Sequence, residues 1–144
     1  MKVVVQRVIN AKVEVDNNIV GSIDKGLMVL VGFTDTDNIE SIKYIVNKII
    51  NLRIFEDKEG IMNKSVLDIS GEILSVSQFT LYGDTSKGNR PSYIKALKGD
   101  EAIKLYDLFN NELSKYIKVS TGVFGSDMNV SFTNVGPTTI IIEK

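Results

Sequence analysis

Two polar side chains interrupt an otherwise apolar strand pattern and are candidates for chemistry. Gln78 and Thr80 follow Leu74 and Val76, and a strand predicted over 72–82 puts all four on one face. A buried amide or hydroxyl without a hydrogen-bond partner destabilises the fold by about 1–3 kcal/mol, so both side chains need such a partner. Nearby backbone at a strand end is the simpler partner. A bound substrate is the alternative.

A second segment, residues 134–139, reads Asn-Val-Gly-Pro-Thr-Thr and lies between two predicted strands. Gly136 permits backbone conformations that other residues avoid, and Pro137 fixes its own φ and has no N–H. An ordinary turn is the simpler interpretation. A stiff backbone element that contacts a ligand is the alternative, and the sequence leaves the Gly136–Pro137 bond open between cis and trans.

The composition narrows the available chemistry. The chain has no histidine and no cysteine, which excludes a Ser-His-Asp triad, a thiolate nucleophile and a zinc site built on either residue. No spacing resembles an EF-hand. We therefore expect no metal and no cofactor. Any catalysis must rely on hydroxyls, carboxylates, amides, backbone dipoles or the substrate itself.

Charge is balanced overall but not locally. Seventeen Lys and Arg against eighteen Asp and Glu give a net charge of −1, which argues against a globally basic nucleic-acid binder. The window 85–99 nevertheless carries four cations and no acid: Lys87, Arg90, Lys95 and Lys98. A solvated loop and an edge that contacts phosphates both fit this window. Tyr93 is its only aromatic residue, so base stacking is not indicated.

The 144 residues predict one domain, 1–144, of class α+β. Helical spacing predicts two main helices, one starting near a cap at residues 35–37 and one at Asp100. The remaining elements are predicted strands of a mostly antiparallel sheet: 2–8, 11–16, 19–21, 27–33, 53–55, 72–82, 128–133 and 138–143. No apolar run is long enough for a membrane helix and no signal peptide is evident, so we expect no membrane association and a cytoplasmic location.

These segments together resemble the D-aminoacyl-tRNA deacylase family of the bacterial and eukaryotic type. Residues 77–81 are similar to its SQFTL motif and residues 134–139 to its NxGPxT motif, although Val135 and Thr138 stand where that family often has Asp and Val. The similarity spans nearly the whole chain. Further matching segments are Gln6-Arg7-Val8, Leu52-Arg53-Ile54-Phe55, Met62-Asn63-Lys64-Ser65, Arg90-Pro91-Ser92 and Thr121-Gly122-Val123-Phe124-Gly125.

The resemblance implies a barrel-like sheet and hydrolysis of the ester between a D-amino acid, or mischarged glycine, and the 3′-terminal adenosine of tRNA. It implies a homodimer in which the Gly-Pro loop of one subunit enters the site of the other. The implied catalytic segment is Ser77, Gln78, Phe79 and Thr80, and the implied chirality screen is Asn134, Gly136, Pro137 and Thr139. Candidate tRNA contacts are Arg7 and the four cations of the window 85–99.

The residues are compatible with this reaction. An aminoacyl ester is already activated, so positioning and oxyanion stabilisation by backbone N–H groups near Phe79 and Thr80 would suffice, with the ribose 2′-hydroxyl helping to activate water. Thr80 is interpreted as an orienting group rather than a nucleophile, since no neighbouring base is evident. Two other classes remain open: a non-catalytic RNA-binding β-domain and a hydrolase of free small-molecule esters.

Overall fold

The protein is built from seven strands and two helices, as seen in a computed structural model that describes residues 1–144. The helices are α1 (Ile39–Asn51) and α2 (Gly99–Ser114). The strands are β1 (Lys2–Val15), β2 (Asn18–Gly32), β3 (Phe55–Glu56), β4 (Met62–Lys64), β5 (Glu72–Ser77), β6 (Val119–Thr121) and β7 (Asn129–Glu143). Neither helix is long and apolar enough to cross a membrane.

Five strands form one sheet in the order β6-β5-β2-β1-β7, and β3 pairs with β4 in a small hairpin. The long pairs β1–β2 and β1–β7 are antiparallel, whereas the shorter pairs β2–β5 and β5–β6 are parallel. The predicted strands 2–8 and 11–16 are two halves of β1, which continues through Asn10 at a φ of 51°. The α+β class is confirmed.

Both helices pack on one face of the sheet, where the larger core lies. Buried residues recur at helical spacing along α1, as the sequence predicts, and they meet alternate residues of β1 and β2. The members that define this layer are Val3, Val5, Leu27, Val29, Val31, Ile42, Ile45, Val46, Ile49, Phe109 and Leu113.

A second, smaller core lies on the opposite face of the sheet. Val8, Ala11, Val13 and Met28 are buried there without a covering helix. The sheet is open in its hydrogen bonding but coils strongly, so that Gly122, just after β6, lies against the Val13 and Met128 side chains. This coiling is the barrel-like feature that the family resemblance implies.

The predicted strand over 72–82 is wrong in its second half. β5 ends at Ser77 because its neighbour β2 ends at Gly32, and Gln78 N–H makes the last bond to the Val31 carbonyl (2.7 Å). Residues Phe79–Tyr82 instead form a 3₁₀ turn. Gln78 and Thr80 therefore do not continue a strand face.

Both predicted helix caps are also wrong. The cap of α1 is Asn38, whose side-chain oxygen accepts from the N–H groups of Glu40 (2.9 Å) and Ser41 (3.1 Å). Asp37 instead binds the N-terminal ammonium of Met1. Asp100 lies inside the first turn of α2, where a carboxylate favourably faces the positive end of the helix dipole.

Candidate functional site

Residues 77–80 form a sharp turn at the carboxyl end of β5. The Leu81 N–H bonds back to the Gln78 carbonyl (3.3 Å), and the Gly83 N–H bonds to the Thr80 carbonyl (2.9 Å). The first N–H groups of such a turn, those of Phe79 and Thr80, have no acceptor within it. They remain suited to receive an oxyanion.

The Thr80 hydroxyl accepts a hydrogen bond from the side-chain amide of Gln78. That amide is the only side chain bonded to it, and no carboxylate or amine is hydrogen-bonded to the hydroxyl. The arrangement orients the hydroxyl but supplies no base to deprotonate it.

A cleft of about 580 Å³ opens beside this turn. Ser77, Gln78 and Phe79 line it, and Thr80 lies outside its lining while bonded to Gln78. The end of β2, the start of α2 and the segment 124–130 complete its mostly apolar wall. Asp127 is the only charged side chain in that wall. No cluster of three or more acidic residues is placed to hold a metal ion.

Residues 134–139 form a bulge in β7 that is closed by its own side chains. Opposite β1, Thr139 pairs with Gln6 and Asn134 with Val8, so residues 135–138 face Arg7 alone. The Asn134 amide spans the bulge, accepting from the Thr138 N–H (2.9 Å) and donating to the Thr139 hydroxyl (3.0 Å).

The tip of this bulge is exposed backbone. The Gly136–Pro137 bond is cis, and both residues are exposed. Gly136 has a φ of +121°, and a Cβ there would lie 2.9 Å from Nη2 of Arg7. Val135 holds the bulge through its carbonyl, which accepts from Arg7 and is present whatever side chain stands at that position.

Arg7 is buried beside the bulge. It is only 8% exposed, and its guanidinium donates to the carbonyls of Ile54 (2.9 Å) and Val135 (3.1 Å). A guanidinium stays protonated in proteins, so a buried one needs hydrogen-bond acceptors such as these two carbonyls. Arg7 therefore supports the bulge, and its burial leaves little of the guanidinium accessible to a phosphate. Its assignment as a tRNA contact stays a prediction.

The two motifs do not meet within one chain. No residue of 131–144 lines the cleft. Ser77 and the bulge lie on β5 and β7, three strand spacings apart in the order β5-β2-β1-β7.

The basic window 85–99 folds against the turn. Asp84 and Ser92 exchange two backbone hydrogen bonds (2.8 and 2.9 Å), and the Leu97 N–H bonds to the Phe33 carbonyl (2.9 Å). Hydrogen bonds from Ser86 hold the pKa of Asp84 below its usual range, and Lys95 lies 4.0 Å from that carboxylate. Lys87, Arg90 and Lys98 are exposed and have no acidic partner.

Tyr82 is the last residue of the 3₁₀ turn, and its phenol stays protonated. Burial, together with the charges of Asp37 and Glu143, raises the pKa of its phenol to about 12. The ammonium of Lys2 lies 5.6 Å from the centre of its ring.

Comparison with known proteins shows the family of the chain. The model of the D-Tyr-tRNA(Tyr) deacylase family matches residues 4–143. The chain belongs to this deacylase family.

Individual relatives of this deacylase cover its whole length. A D-aminoacyl-tRNA deacylase from Flavobacterium psychrophilum is 59% identical over 146 residues, covering all of this chain and 97% of that protein. The solved structure of a c-Myc DNA unwinding element binding protein has a TM-score of 0.95 and 40% identity, covering 100% of this chain and 99% of that one. A probable eukaryotic D-amino acid tRNA deacylase shares the fold, with a TM-score of 0.82, 22% identity and coverage of 98% and 97%.

Sequence reasoning on this deacylase missed two walls of its cleft. Leu97, Gly99 and Ala102 line it from the start of α2, and residues 124–128 line it after β6. The segment 121–125 matches the family pattern, and its two glycines could have indicated close packing beside the cleft. At Gly122 a Cβ would lie only 2.6 Å from the Met128 sulfur, so a larger residue fits there only if the Met128 side chain moves.

Proposed function

We propose that this protein hydrolyses the ester between a D-amino acid and the 3′-terminal adenosine of tRNA, and also removes mischarged glycine, as a proofreading step in translation. The observation that carries the proposal is the match of residues 4–143 to the deacylase family, combined with a turn at 77–80 that opens into a cleft of about 580 Å³. The proposal treats residues 1–144 as one deacylase domain located in the cytoplasm, where aminoacyl-tRNA is used.

The proposal is tested by incubating the protein with D-Tyr-tRNA and L-Tyr-tRNA and following release of the amino acid. We expect rapid loss of the D-ester alone. Binding without cleavage would point to an RNA-binding domain, and equal cleavage of a free D-tyrosyl ester to a small-molecule hydrolase. Family membership favours the enzyme over the binding domain.

The chemistry needs little from side chains. An aminoacyl ester is already activated towards hydrolysis. Holding it in the cleft and stabilising the oxyanion would therefore provide most of the required reduction in activation free energy. The unbonded N–H groups at Phe79 and Thr80 would receive the oxyanion, and the 2′-hydroxyl of the ribose would assist the attacking water. This route suits a chain without histidine or cysteine.

We predict that Thr80→Ala retains substantial activity. The substitution removes one hydrogen bond, that from the Gln78 amide, which is worth about 1 kcal/mol. Single-turnover deacylation of D-Tyr-tRNA should slow less than about tenfold. An acyl-enzyme on Thr80, trapped and seen by intact mass spectrometry, would instead establish Thr80 as the nucleophile.

Chirality would be read by backbone rather than by side chains. Gly136 and Pro137 form a stiff, exposed tip, held by Asn134, Thr139 and Arg7. Rigid main-chain atoms placed where an L-side chain would lie exclude it whatever its identity. Such a screen tolerates many D-side chains and cannot reject glycine.

The tip would act on the cleft of a second copy, because it does not reach the cleft of its own chain. A homodimer is supported by the sheet face opposite the helices. Val4, Leu30 and Phe132 are only partly buried on that face, and Ile141 is 64% exposed. A second copy docked there would cover these side chains and bring its bulge towards the cleft.

The basic window would contact the acceptor-stem phosphates. We predict that the double variant Lys87→Ala/Lys98→Ala lowers the slope of log K against log salt by about 1.8, since each phosphate contact on a duplex contributes about 0.9. Filter binding of a non-hydrolysable aminoacyl-tRNA analogue between 50 and 200 mM salt measures it. The control is Lys25→Ala/Lys58→Ala, which removes two cations elsewhere. Equal slopes for the two double variants would show that the window is a solvated loop.

A further inference from the structure

An exposed aromatic and apolar patch lies next to the cleft, and the proposed catalytic chemistry makes no use of most of it. The rings of Phe79 and Tyr93 pack edge to face with centroids 5.1 Å apart, and both stay exposed. Ile94, the next residue, is 90% exposed. Phe79, Tyr93 and Ile94 are called the platform below. The sequence separates its members by 14 residues, which is why it does not indicate stacking there.

The platform is held rigidly from both sides. The Tyr93 ring packs on the backbone of Gly83, where a Cβ would lie 3.1 Å from Cε1 of the ring. On one side the Asp84–Ser92 backbone pair closes the loop, and on the other the Thr34 hydroxyl donates to the Lys95 carbonyl (2.7 Å). A ligand placed on the platform would therefore lose little free energy in ordering it.

The platform adjoins the cleft through Phe79 and belongs, through Tyr93 and Ile94, to the loop that carries the cations. Phe79 also lines the cleft, so the two surfaces are continuous. Lys95 follows Ile94 directly and lies 4.0 Å from the Asp84 carboxylate, whereas Lys87 and Arg90 of the same loop have no acidic partner. Exposed aromatic rings beside cations are the combination that binds single-stranded nucleic acid, with bases on the rings and phosphates on the cations.

Given the proposed function, we propose that the platform binds the unpaired nucleotides that precede the terminal adenosine of tRNA. When the ester occupies the cleft, the chain leading to it must leave through the cleft mouth, where Phe79 stands. A base stacked on Tyr93 would place its phosphate among the cations of the 85–99 window. The platform thus distinguishes an ester on tRNA from the same ester on adenosine alone.

The test compares two substrates, D-Tyr-tRNA and 3′-O-D-tyrosyl-adenosine. The measured quantity is the ratio of their kcat/KM values. Tyr93→Leu keeps an apolar side chain on Gly83 but removes the ring. We expect that ratio to fall roughly tenfold through KM for the tRNA substrate, within the range for loss of one base–aromatic stack.

Three further variants make the result decisive. Tyr93→Phe keeps the ring and should restore the ratio. Tyr116→Leu removes another exposed tyrosine, two residues beyond the end of α2, and should leave the ratio unchanged. Ile94→Asp places a negative charge at a fully accessible position, so it folds even if Tyr93→Leu does not, and it should lower the ratio at least as much.

Each of the other possible results would contradict either the platform or the deacylase proposal. An unchanged ratio in both Tyr93→Leu and Ile94→Asp would overturn the platform while leaving the deacylase proposal intact. A wild-type protein that cleaves neither substrate would overturn the deacylase proposal itself. If Ile94→Asp sedimented differently from the wild type, the platform would instead be a contact between copies of this chain.

Discussion

Gly136→Ala is expected to lower kcat/KM for D-Tyr-tRNA by at least about 100-fold. At a φ of +121° an alanine is strained, and its Cβ would lie 2.7 Å from Oγ1 of Thr138 and 2.9 Å from Nη2 of Arg7. Strain of this kind costs about 1–3 kcal/mol, which the exposed tip relieves by moving. A shift of about 1 Å in a positioning element is enough for a loss of that size.

Gly60→Ala is the matched control. Gly60 also has a positive φ (+78°), but no atom lies within 4 Å of its Cβ position, and it belongs to the β3–β4 hairpin away from the cleft. It should lower the melting temperature through the same backbone strain and leave deacylation unchanged. If Gly136→Ala kept full D-activity and full rejection of L-Tyr-tRNA, the chirality screen would have to lie in side chains, with Gln78 and Phe79 the nearest to the ester.

Ile141→Glu is expected to give a monomer with at least about 100-fold less activity. Ile141 is 64% exposed in the single chain, so the substitution should barely affect folding. In the proposed dimer the same position lies between two sheets, where an unpaired carboxylate is strongly disfavoured. Losing the partner removes the bulge from the cleft, and with it the positioning of the substrate.

Sedimentation velocity and D-Tyr-tRNA deacylation, measured on the same samples, test this. Ile61→Glu is the matched control, because Ile61 is 58% exposed at the hairpin tip and should change neither quantity. A monomeric Ile141→Glu with full activity would show that each chain carries a complete site. A wild-type protein that sediments as a monomer while active would refute the dimer directly.

Periodic patterns in the sequence correctly predicted the long elements of the fold, although they misplaced both helix caps by a few residues. The alternation over 11–16 and the spacing of Ile42, Ile45 and Ile49 predicted a strand with one apolar face and an amphipathic helix, and both are present. The motifs at 77–81 and 134–139 predicted the family, which the match over residues 4–143 confirms. The roles assigned to individual residues of these motifs remain predictions.

Arg7 illustrates a limit of the same reasoning. A cation close to other matched segments was interpreted as a phosphate contact, yet its guanidinium is buried against the Ile54 and Val135 carbonyls. Nothing adjacent to Arg7 in sequence reveals those acceptors, because they lie 47 and 128 residues away along the chain. The same holds for Phe79 and Tyr93, which only the folded loop brings together.

The sequence by itself determined which residues are chemically available, where the backbone is stiff or permissive, and which faces are apolar, because these depend on side-chain type and local periodicity. Tertiary structure alone decided where β5 stops, since a strand ends where its neighbour β2 can no longer accept its hydrogen bonds. It also decided that the cleft and the Gly136–Pro137 tip lie apart in one chain, because Val130 near the start of β7 lines the cleft, whereas the bulge lies further along that strand, opposite Arg7.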